Sequence, residues 1–552
     1  MRIGRGSLLC GALFLVAGFF IFVSPGFCNS FDFDNPFDFS EANTPIVPAH
    51  KFLLDFENQY NQNFLYTHHP FSSYDKITAN RSYDDAGGYL KFSPSTELEL
   101  GYGFKNVFTT GFQQHINSVS GTSDVTDGID LDRFQDNRFG FRKKIGSYEI
   151  YSQNLVRSER AHWDETSQSS SSYYFNNVYV DYSDWRGGLR YSSAENETKK
   201  SKTNLSLLRG TQLSAGEFFS ETELEYRKGK LYRDAASDTQ EHYDQDLTPH
   251  YTPRVRMAYG LNDALELQGG FNYTTDLDYK YTLTYITAGS SVFGKYRLSD
   301  HFEVPLGVRF RPRENLEMSL TSSMRYLAQR TDYGDPAPHT GKKLEYYNVT
   351  PVLRLSYLSE AGRKIQEDDF SALTKYFLER RQWLLDLAYQ RDFTHLNKSS
   401  ADGTQNIIDP YGAFMYPTDH FMTGTEYAAL FSGGNSYYFP NIQPQNYDAY
   451  QMDLGYGFTD RVNLGAGIGY HSGSAAHQFV LPTASDQLFT FKPYYFSSCS
   501  LDFKISHNTL LSLQGYYVPE YRMVNTYTSG GYKESHSKSE EFYVSADLKA
   551  LF

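Results

Sequence analysis

The C-terminal end of the chain alternates strictly between apolar and polar positions. From Phe542 to Phe552 every even-numbered residue is apolar, and most residues between them are polar. Successive side chains of a β-strand point to opposite faces, so this segment predicts a strand with one wholly apolar face and one face that tolerates water. A soluble sheet can use the same pattern, so its meaning depends on the rest of the chain.

The alternation recurs along the chain in units that resemble hairpins. The clearest unit runs from residue 451 to 471, where two alternating segments flank the turn Thr459-Asp460. Each segment has one face of large apolar residues and one face of glycine and polar residues. Ser, Asn, Asp and Gly supply the chemistry that tight turns need. Further turns of this kind are predicted at residues 93–96, 146–147, 183–184, 262–263 and 506–508.

The N-terminus has the three parts of an export signal. It combines a short basic start, an apolar run over residues 8–23 and small residues over 24–30. We therefore predict a signal peptide at residues 1–28. A short periplasmic tail is predicted at residues 29–49, and a single barrel domain at residues 50–552.

The composition explains why such a chain looks hydrophilic. Mean hydropathy is -0.55, although the chain has 47 Tyr and 42 Phe. After the signal no run approaches the ~20 apolar residues of a spanning helix. Barrels concentrate aromatic residues at both membrane interfaces and keep the lumen polar. The sequence therefore predicts an all-β fold, a transmembrane antiparallel up-and-down β-barrel of about 18–22 strands with short periplasmic turns and long extracellular loops.

Longer polar stretches separate the hairpins. Short turns on one side and long loops on the other place both termini in the periplasm, which requires an even strand number. One stretch does not fit, because Ser299-Asp300 and residues 312–315 both resemble short turns with a single strand between them. One of the two is expected to face outward. The predicted long loops cover residues 61–84, 110–133, 159–171, 231–249, 329–342, 395–446 and 525–539.

One segment has a different period. The apolar residues of Asp369–Leu378 follow helical spacing, with acidic residues before them and Arg380-Arg381 after them. The segment falls where a periplasmic turn is expected. It is interpreted as a small helix packed on the barrel rim, and the alternative is a gate folded into the lumen.

The polar faces of the predicted strands carry many charged residues. Rings of charge in a pore set its ion and solute selectivity. Because Arg is prominent, a mild preference for anionic or sugar-acid solutes is one interpretation. The other is that opposite charges pair across a wide, hydrated pore. The predicted pore-lining residues are Arg138, Arg142, Arg254, Arg256, Glu266, Arg309, Arg325, Arg354, Asp453 and Arg461.

Three other patterns favour no catalytic or metal site. Five Asp residues crowd the stretch 124–136, but their spacing matches no EF-hand, which favours a solvated loop over a calcium site. His471-Ser472 lacks a carboxylate placed by the sequence to complete a hydrolase site. Signal removal would leave Cys499 alone, without a disulfide framework. We expect no enzyme activity, no metal, no cofactor and, at a net charge of -14, no nucleic-acid partner.

The mature chain resembles bacterial outer-membrane porin-like barrels in its overall pattern. Its last strand is similar to the signal that the barrel-assembly machinery reads, although it lacks the usual Gly. The segment Phe56–Thr67 resembles the first strand of porins associated with exopolysaccharide loci. These resemblances imply a channel for small hydrophilic solutes or exported polysaccharide, in contact with outer-membrane lipid and lipopolysaccharide. The residues assigned to the assembly signal are Phe542, Val544, Leu548 and Phe552.

Two rival functions are considered. The chain has the size of a TonB-dependent receptor, and residues 44–47 are similar to an energy-coupling box. A first strand near Lys51 leaves no room for a plug domain, so we expect no TonB-coupled uptake. A passive channel or exporter stays open beside a surface-binding barrel whose long loops hold a ligand or partner.

Overall fold

The described residues form one antiparallel β-sheet of 27 strand segments. The computed structural model describes residues 49–68, 74–118, 121–126, 130–162, 168–182, 185–196, 201–215, 218–234, 241–285, 290–298, 300–335, 337–339, 343–359, 378–398, 446–480, 485–527 and 533–552. The segments are β1 (Phe52–His68), β2 (Tyr74–Ser95), β3 (Leu98–Ser118), β4 (Gly121–Thr126), β5 (Asp130–Ile145), β6 (Tyr148–His162), β7 (Gln168–Tyr182), β8 (Trp185–Asn196), β9 (Ser201–Ala215), β10 (Phe218–Asp234), β11 (Glu241–Asn262), β12 (Leu265–Thr274), β13 (Leu277–Tyr285), β14 (Ser290–Leu298), β15 (His301–Arg313), β16 (Leu316–Asp335), β17 (Ala337–His339), β18 (Lys343–Leu358), β19 (Trp383–Arg391), β20 (Phe393–Lys398), β21 (Asp448–Thr459), β22 (Val462–His471), β23 (Ser474–Val480), β24 (Ser485–Phe491), β25 (Tyr494–Ser506), β26 (Thr509–Tyr527) and β27 (Lys533–Leu551).

The sheet closes on itself. The last strand, β27, pairs antiparallel with β1 along the whole length of β1, so the sheet has no free edge there. Some segments are halves of one strand: β12 with β13, β14 with β15, β19 with β20, β22 with β23 and β24 with β25 pair with the same neighbours. The short β4 and β17 pair only with β3 and β16 among the described residues. Counting each broken strand once and leaving out these two gives twenty strands among the described residues, an even number within the predicted range of 18–22.

The two faces of the barrel wall differ in polarity. Large apolar side chains stand exposed at alternate positions of the outer face, as Leu320 at 51% and Phe458 at 59% show. Aromatic rings of neighbouring strands contact one another there and form an outer girdle. Its ring-centroid distances are 6.3 Å for Phe271–Phe302, 5.4 Å for Phe302–Tyr326, 4.9 Å for Tyr326–Tyr347, 5.0 Å for Tyr389–Tyr450, 6.3 Å for Tyr450–Tyr470 and 4.8 Å for Tyr470–Tyr495. An apolar outer surface with aromatic rings suits a lipid environment.

The predicted tight turns are confirmed where they are described. They lie at residues 96–97, 146–147, 263–264, 460–461 and 507–508, on the rim where Phe52 and Phe552 also pair through their backbones. Gly146 has a φ of 62°, a conformation that glycine adopts without strain. The turn predicted at 183–184 and the N-terminal residues 1–48 lie outside the described residues, so the signal peptide and most of the periplasmic tail stay predictions.

The expectation that one of two neighbouring turns faces outward is wrong. Residues 314–315 form a short turn, but Asp300 lies in a break between β14 and β15. Asp276 lies in the matching break between β12 and β13. The backbone N–H of each aspartate donates to Oδ1 of the other at 2.8 Å. The two carboxylates thus satisfy N–H groups that leave the ladder, so a turn-like sequence interrupts a strand without reversing it.

Among the described residues, the loops are shorter than predicted, because the strands continue into the predicted loop stretches. Strand β1 continues to His68 and β2 begins at Tyr74, with an unshifted register between them. Beyond the outer girdle no lipid requires an apolar face, so backbone pairing continues through polar sequence where the alternation fades. Residues 399–445, most of the longest predicted loop, lie outside the described residues. No helix among the described residues is long and apolar enough to cross a membrane.

The segment with helical spacing was predicted at residues 369–378, and all of it except Leu378 lies outside the described residues. The stretch that follows, Leu378–Gln382, lies against the inner wall at the short-turn rim. Leu378 packs with Leu358 and Leu384. The N–H of Gly457 donates to the Gln382 carbonyl at 2.8 Å. A Cβ at Gly457 would overlap the backbone of Glu379, so glycine permits this close approach.

Candidate functional site

The inner wall of β11–β19 carries most of the predicted pore-lining residues, and we call it the charged sector. Arg254 and Arg256 lie on the inner face of β11, because Met257 and Tyr259, at odd-numbered positions of the same strand, are exposed on the outer face. In the register they lie opposite Glu223 and Glu221 of β10. Arg256 also lies 5.6 Å from the ring centroid of Phe219.

Ion pairs bridge neighbouring strands of this sector. Arg309 Nη1 lies 3.8 Å from Glu266 Oε1 across the β12–β15 boundary, and Arg309 Nε lies 3.4 Å from Glu317 Oε1 across the next boundary. Glu317 also pairs with Arg311 at 2.6 Å. All four arginine and glutamate side chains are partly exposed, so these pairs are hydrated and weak.

Glu303 is the centre of a second polar network. Arg325 Nε donates to its carboxylate at 2.8 Å and Ser323 Oγ at 2.5 Å. Asn272 Nδ2 donates to the other oxygen at 3.3 Å. Three strands therefore meet at one carboxylate, which orders this part of the inner wall.

The most buried charges of the inner wall lie on β18 and β19 of this sector and on the neighbouring strand β21. Arg354 binds Asp386 with two nitrogen donors, one of them at 2.8 Å, and Ser356 Oγ donates to the same carboxylate at 3.1 Å. Asp386 is 5% exposed and lies opposite Asp453, which is 4% exposed. Gln451 Nε2 donates to Asp453 Oδ2 at 2.7 Å, while Oδ1 has no hydrogen-bond partner among the described residues.

Three predicted residues lie apart from this sector. Arg142 of β5 pairs with Glu149 of β6. Arg138 belongs to the same strand, but its side chain lies outside the described part of the structure. Arg461 lies in the turn 460–461 at the short-turn rim, not in a strand.

The residues assigned to assembly lie on the outer face of the closing strand. Val544 and Phe552 are 37% and 60% exposed, and the ring of Phe552 lies 6.4 Å from that of Phe52. The backbones of these two phenylalanines exchange hydrogen bonds of 3.0 and 2.7 Å. The predicted signal therefore coincides with the seam that closes the barrel, and recognition by an assembly machinery stays a prediction.

A second inner surface was not predicted from the sequence. On β21, β22, β25 and β26 aromatic rings face inward, and we call this surface the aromatic sector. His471 stacks between Tyr447 and Tyr494, with centroids 4.3 and 5.0 Å away, and Phe496 lies 5.7 Å from Tyr516. Projecting the alternation around the exposed Tyr495 would have placed Tyr494 and Phe496 on the inner face.

The described inner wall carries hydrogen-bonding groups, paired charges and aromatic rings. Among those residues no group of three or more His, Cys, Asp and Glu could hold a metal ion. His471 Nδ1 accepts from the backbone N–H of Gly473 at 3.2 Å and lies between two rings, an arrangement that positions an imidazole. The wall is therefore suited to contacting polar solutes.

Comparison with solved structures finds barrels of distant sequence. The outer membrane transporter YddB from Escherichia coli matches with 8% identity over 92% of this chain and 81% of that one, at a TM-score of 0.45. The siderophore receptor PirA from Pseudomonas aeruginosa matches with 12% identity over 90% and 80%, at a TM-score of 0.39. The FrpB iron transporter from Neisseria meningitidis matches with 9% identity over 90% and 81%, at 0.42. No protein-family model matches the sequence, and no curated protein matches it.

The class of the protein follows from its own geometry. A closed antiparallel barrel satisfies its backbone hydrogen bonds within the wall, and its outer face is apolar with an aromatic girdle. Short turns and both ends of the sheet share one rim. These features define a transmembrane β-barrel of the outer-membrane type.

Proposed function

We propose that the protein is an outer-membrane channel of a Gram-negative bacterium, which passes hydrophilic solutes through the lumen of its barrel. The observation that carries this proposal is the separation of faces: exposed apolar residues point outward, while the inner wall is built from charged, amide, hydroxyl and aromatic side chains. A polar wall lowers the cost of moving a hydrated solute past lipid.

The pairing of charges favours weak ion selectivity. Arg309, Arg325 and Arg354 each have a carboxylate partner, so the charged sector has little net charge along the described strands. We therefore favour the interpretation in which mixed charges hydrate the wall over a strong preference for anions. Small neutral solutes and sugars are the substrates that such a wall suits best.

Planar bilayers test the channel directly. The full-length purified protein should produce stable conductance steps without an energy source, with a reversal potential close to zero under a salt gradient. Absence of steps from correctly folded protein would contradict a passive channel. An outer-membrane fraction that lacks the protein would contradict its location.

A surface-binding barrel is the second candidate. It is favoured by the ladders of β1 and β2, which run on through polar residues to the pairs Thr67↔Ile77 and His68↔Lys76. Such a sheet extends beyond the part that lipid requires and offers a platform for a ligand or partner. Folded protein that never conducts, but binds a ligand at the cell surface, would favour this candidate.

The proposal also includes the partners of assembly. Outer-membrane lipid and lipopolysaccharide would contact the apolar outer face, and the barrel-assembly machinery would read β27. Replacing Phe552 by Asp should lower the amount of protein in the membrane, because a charge on the lipid face costs up to about 2 to 4 kcal/mol, less near the interface. The matched change at Phe458, equally exposed but far from the C-terminus, should lower it less if β27 is read as a signal.

A further inference from the structure

We propose that a row of cations on the outer face of the barrel binds the phosphate groups of a phosphorylated glycolipid in the outer leaflet. The row consists of Lys492, Arg522 and Lys538, and we call it the cationic row. The proposal concerns the surface that faces lipid, so it does not depend on whether the barrel conducts.

The three residues lie side by side on neighbouring strands. The backbone N–H of Lys492, directly after β24, donates to the Arg522 carbonyl at 2.9 Å. Arg522 of β26 lies opposite Lys538 of β27 in the register. Directly opposed residues of paired strands point to the same face, and neighbouring strands are about 4.8 Å apart, so the row spans roughly 10 Å.

The cationic row faces outward. The register between β1 and β27 is unshifted from Leu551 to His536, and Val544, an even-numbered residue of β27, is exposed on the outer face. By alternation Lys538 points to the same face, and Arg522 follows it. The side chains of Arg522 and Lys538 are 59% and 48% exposed, so both can contact a ligand.

The row lies directly beyond the outer girdle, on the side away from the short-turn rim. Tyr495, a girdle ring that is 59% exposed, follows Lys492 closely in the chain. On β27 the exposed Val544 lies between the row and the short-turn rim. Lipid headgroups meet a barrel at the level of its aromatic girdle. A lipid whose acyl chains contact Tyr495 and Val544 can therefore place its phosphate against the row.

The charges of this surface do not cancel. Glu520 pairs with Arg522 and also with Lys538, whose Nζ lies 2.5 Å from Glu520 Oε2. Glu540 accepts a hydrogen bond from a tyrosine hydroxyl at 2.7 Å. Lys492 has no carboxylate partner among the described residues. Three cations thus face two carboxylates, and the remaining positive charge suits an anionic headgroup.

The arginine of the row is held in place by a contact that leaves it able to bind. Glu520 lies in the bulge where the register of β26 and β27 shifts between Val518 and Tyr521. Its carboxylate binds Arg522 through Nε. The two terminal nitrogens of the guanidinium group are then available for a phosphate group, which takes two parallel donors from an arginine.

Lipid A binding to the detergent-solubilised full-length protein tests the cationic row. The triple variant K492Q/R522Q/K538Q should bind fluorescent lipid A at least about tenfold more weakly, because three charge-assisted contacts are lost. The control K144Q/R313Q/R380Q removes three exposed cations of the short-turn rim and should bind like the wild type. Near-UV circular dichroism shows whether each variant is folded. Equal binding of lipid A by the folded triple variant and the wild type would overturn the proposal.

Three further titrations identify the ligand group. Dephosphorylated lipid A should bind the wild type as weakly as lipid A binds the triple variant, and equal binding of both lipids would exclude phosphate recognition. Inorganic phosphate in excess should not displace lipid A; displacement would show a site for free phosphate instead of a lipid surface. E520Q should bind lipid A at least as tightly as the wild type, because the row loses a competing carboxylate. Weaker binding by E520Q, with loss of wild-type binding in EDTA, would mean that a divalent cation bridges the carboxylate to the lipid, and would overturn direct contact.

Discussion

The charged sector and the aromatic sector lie on the same inner wall but differ in their side-chain contacts. Between β11 and β19 the wall is bridged by ion pairs such as Arg354–Asp386. Between β21 and β26 it carries aromatic rings, and the Phe496 ring occupies the space that a side chain at Gly469 would need. The outer face is apolar in both, so one pattern of strands supports two inner surfaces. Contact with lipid constrains the residues of the outer face, whereas the residues of the inner face can differ from one sector to the other.

The largest expected difference between the sectors concerns buried charge. Replacing Asp386 by Asn leaves Arg354 without its carboxylate, and we expect a loss of about 3 kcal/mol in the free energy of unfolding. The double variant R354M/D386L removes both charges and should recover much of that loss. Urea unfolding in lipid vesicles measures both. If the single and the double variants are equally destabilised, the pair does not act as a buried ion pair.

A smaller effect is expected from the glycine seat of the aromatic sector. Replacing Gly469 by Ala places a Cβ against the Phe496 ring and should cost about 1 to 2 kcal/mol. Gly269 of β12 is the control, because an added Cβ there meets only Leu306 at 3.8 Å. The same unfolding assay compares the two. Equal stability of both variants would mean that Phe496 moves aside freely.

Charge reversal in the charged sector should change selectivity while leaving the fold intact. Replacing Arg254 and Arg256 together by Glu should shift the reversal potential toward cations, since both lie on the inner face while Met257 stays outside. The pair of Gln substitutions should give an intermediate shift. A conducting Glu variant with an unchanged reversal potential would show that these arginines do not influence the pore.

The smallest effect is expected at the hydrated pairs. Replacing Glu317 by Gln should lower the free energy of unfolding by less than about 1 kcal/mol, because its partners Arg309 and Arg311 are both more than a third exposed. Raising the salt concentration should reduce the difference further. A loss as large as that of D386N would show that the hydrated pairs stabilise the fold as much as the buried pair does.

The sequence was a good guide wherever one face meets lipid. Alternation and turn residues located the hairpin at 451–471, because lipid requires an apolar residue at every second position. The break at Asp300 was missed, since Asp and Ser also occur in true turns and only the neighbouring Asp276 reveals the difference. The inner site was predicted less completely. Alternation assigns His471 and Tyr494 to a face, but their stacking depends on the register between strands distant in sequence.

Cysteine labelling shows whether the inner wall lines a water-filled path. Adjacent small residues offer matched pairs in a C499S background: Ser498 inside and Ser497 outside in the aromatic sector, Thr321 inside and Ser322 outside in the charged sector. Each is changed to Cys and treated with a charged, membrane-impermeant thiol reagent during bilayer recording. We expect rapid labelling and reduced conductance for S498C and T321C, and no change for S497C and S322C. Equal reactivity within each pair, or modification without any effect on conductance, would contradict a water-filled path.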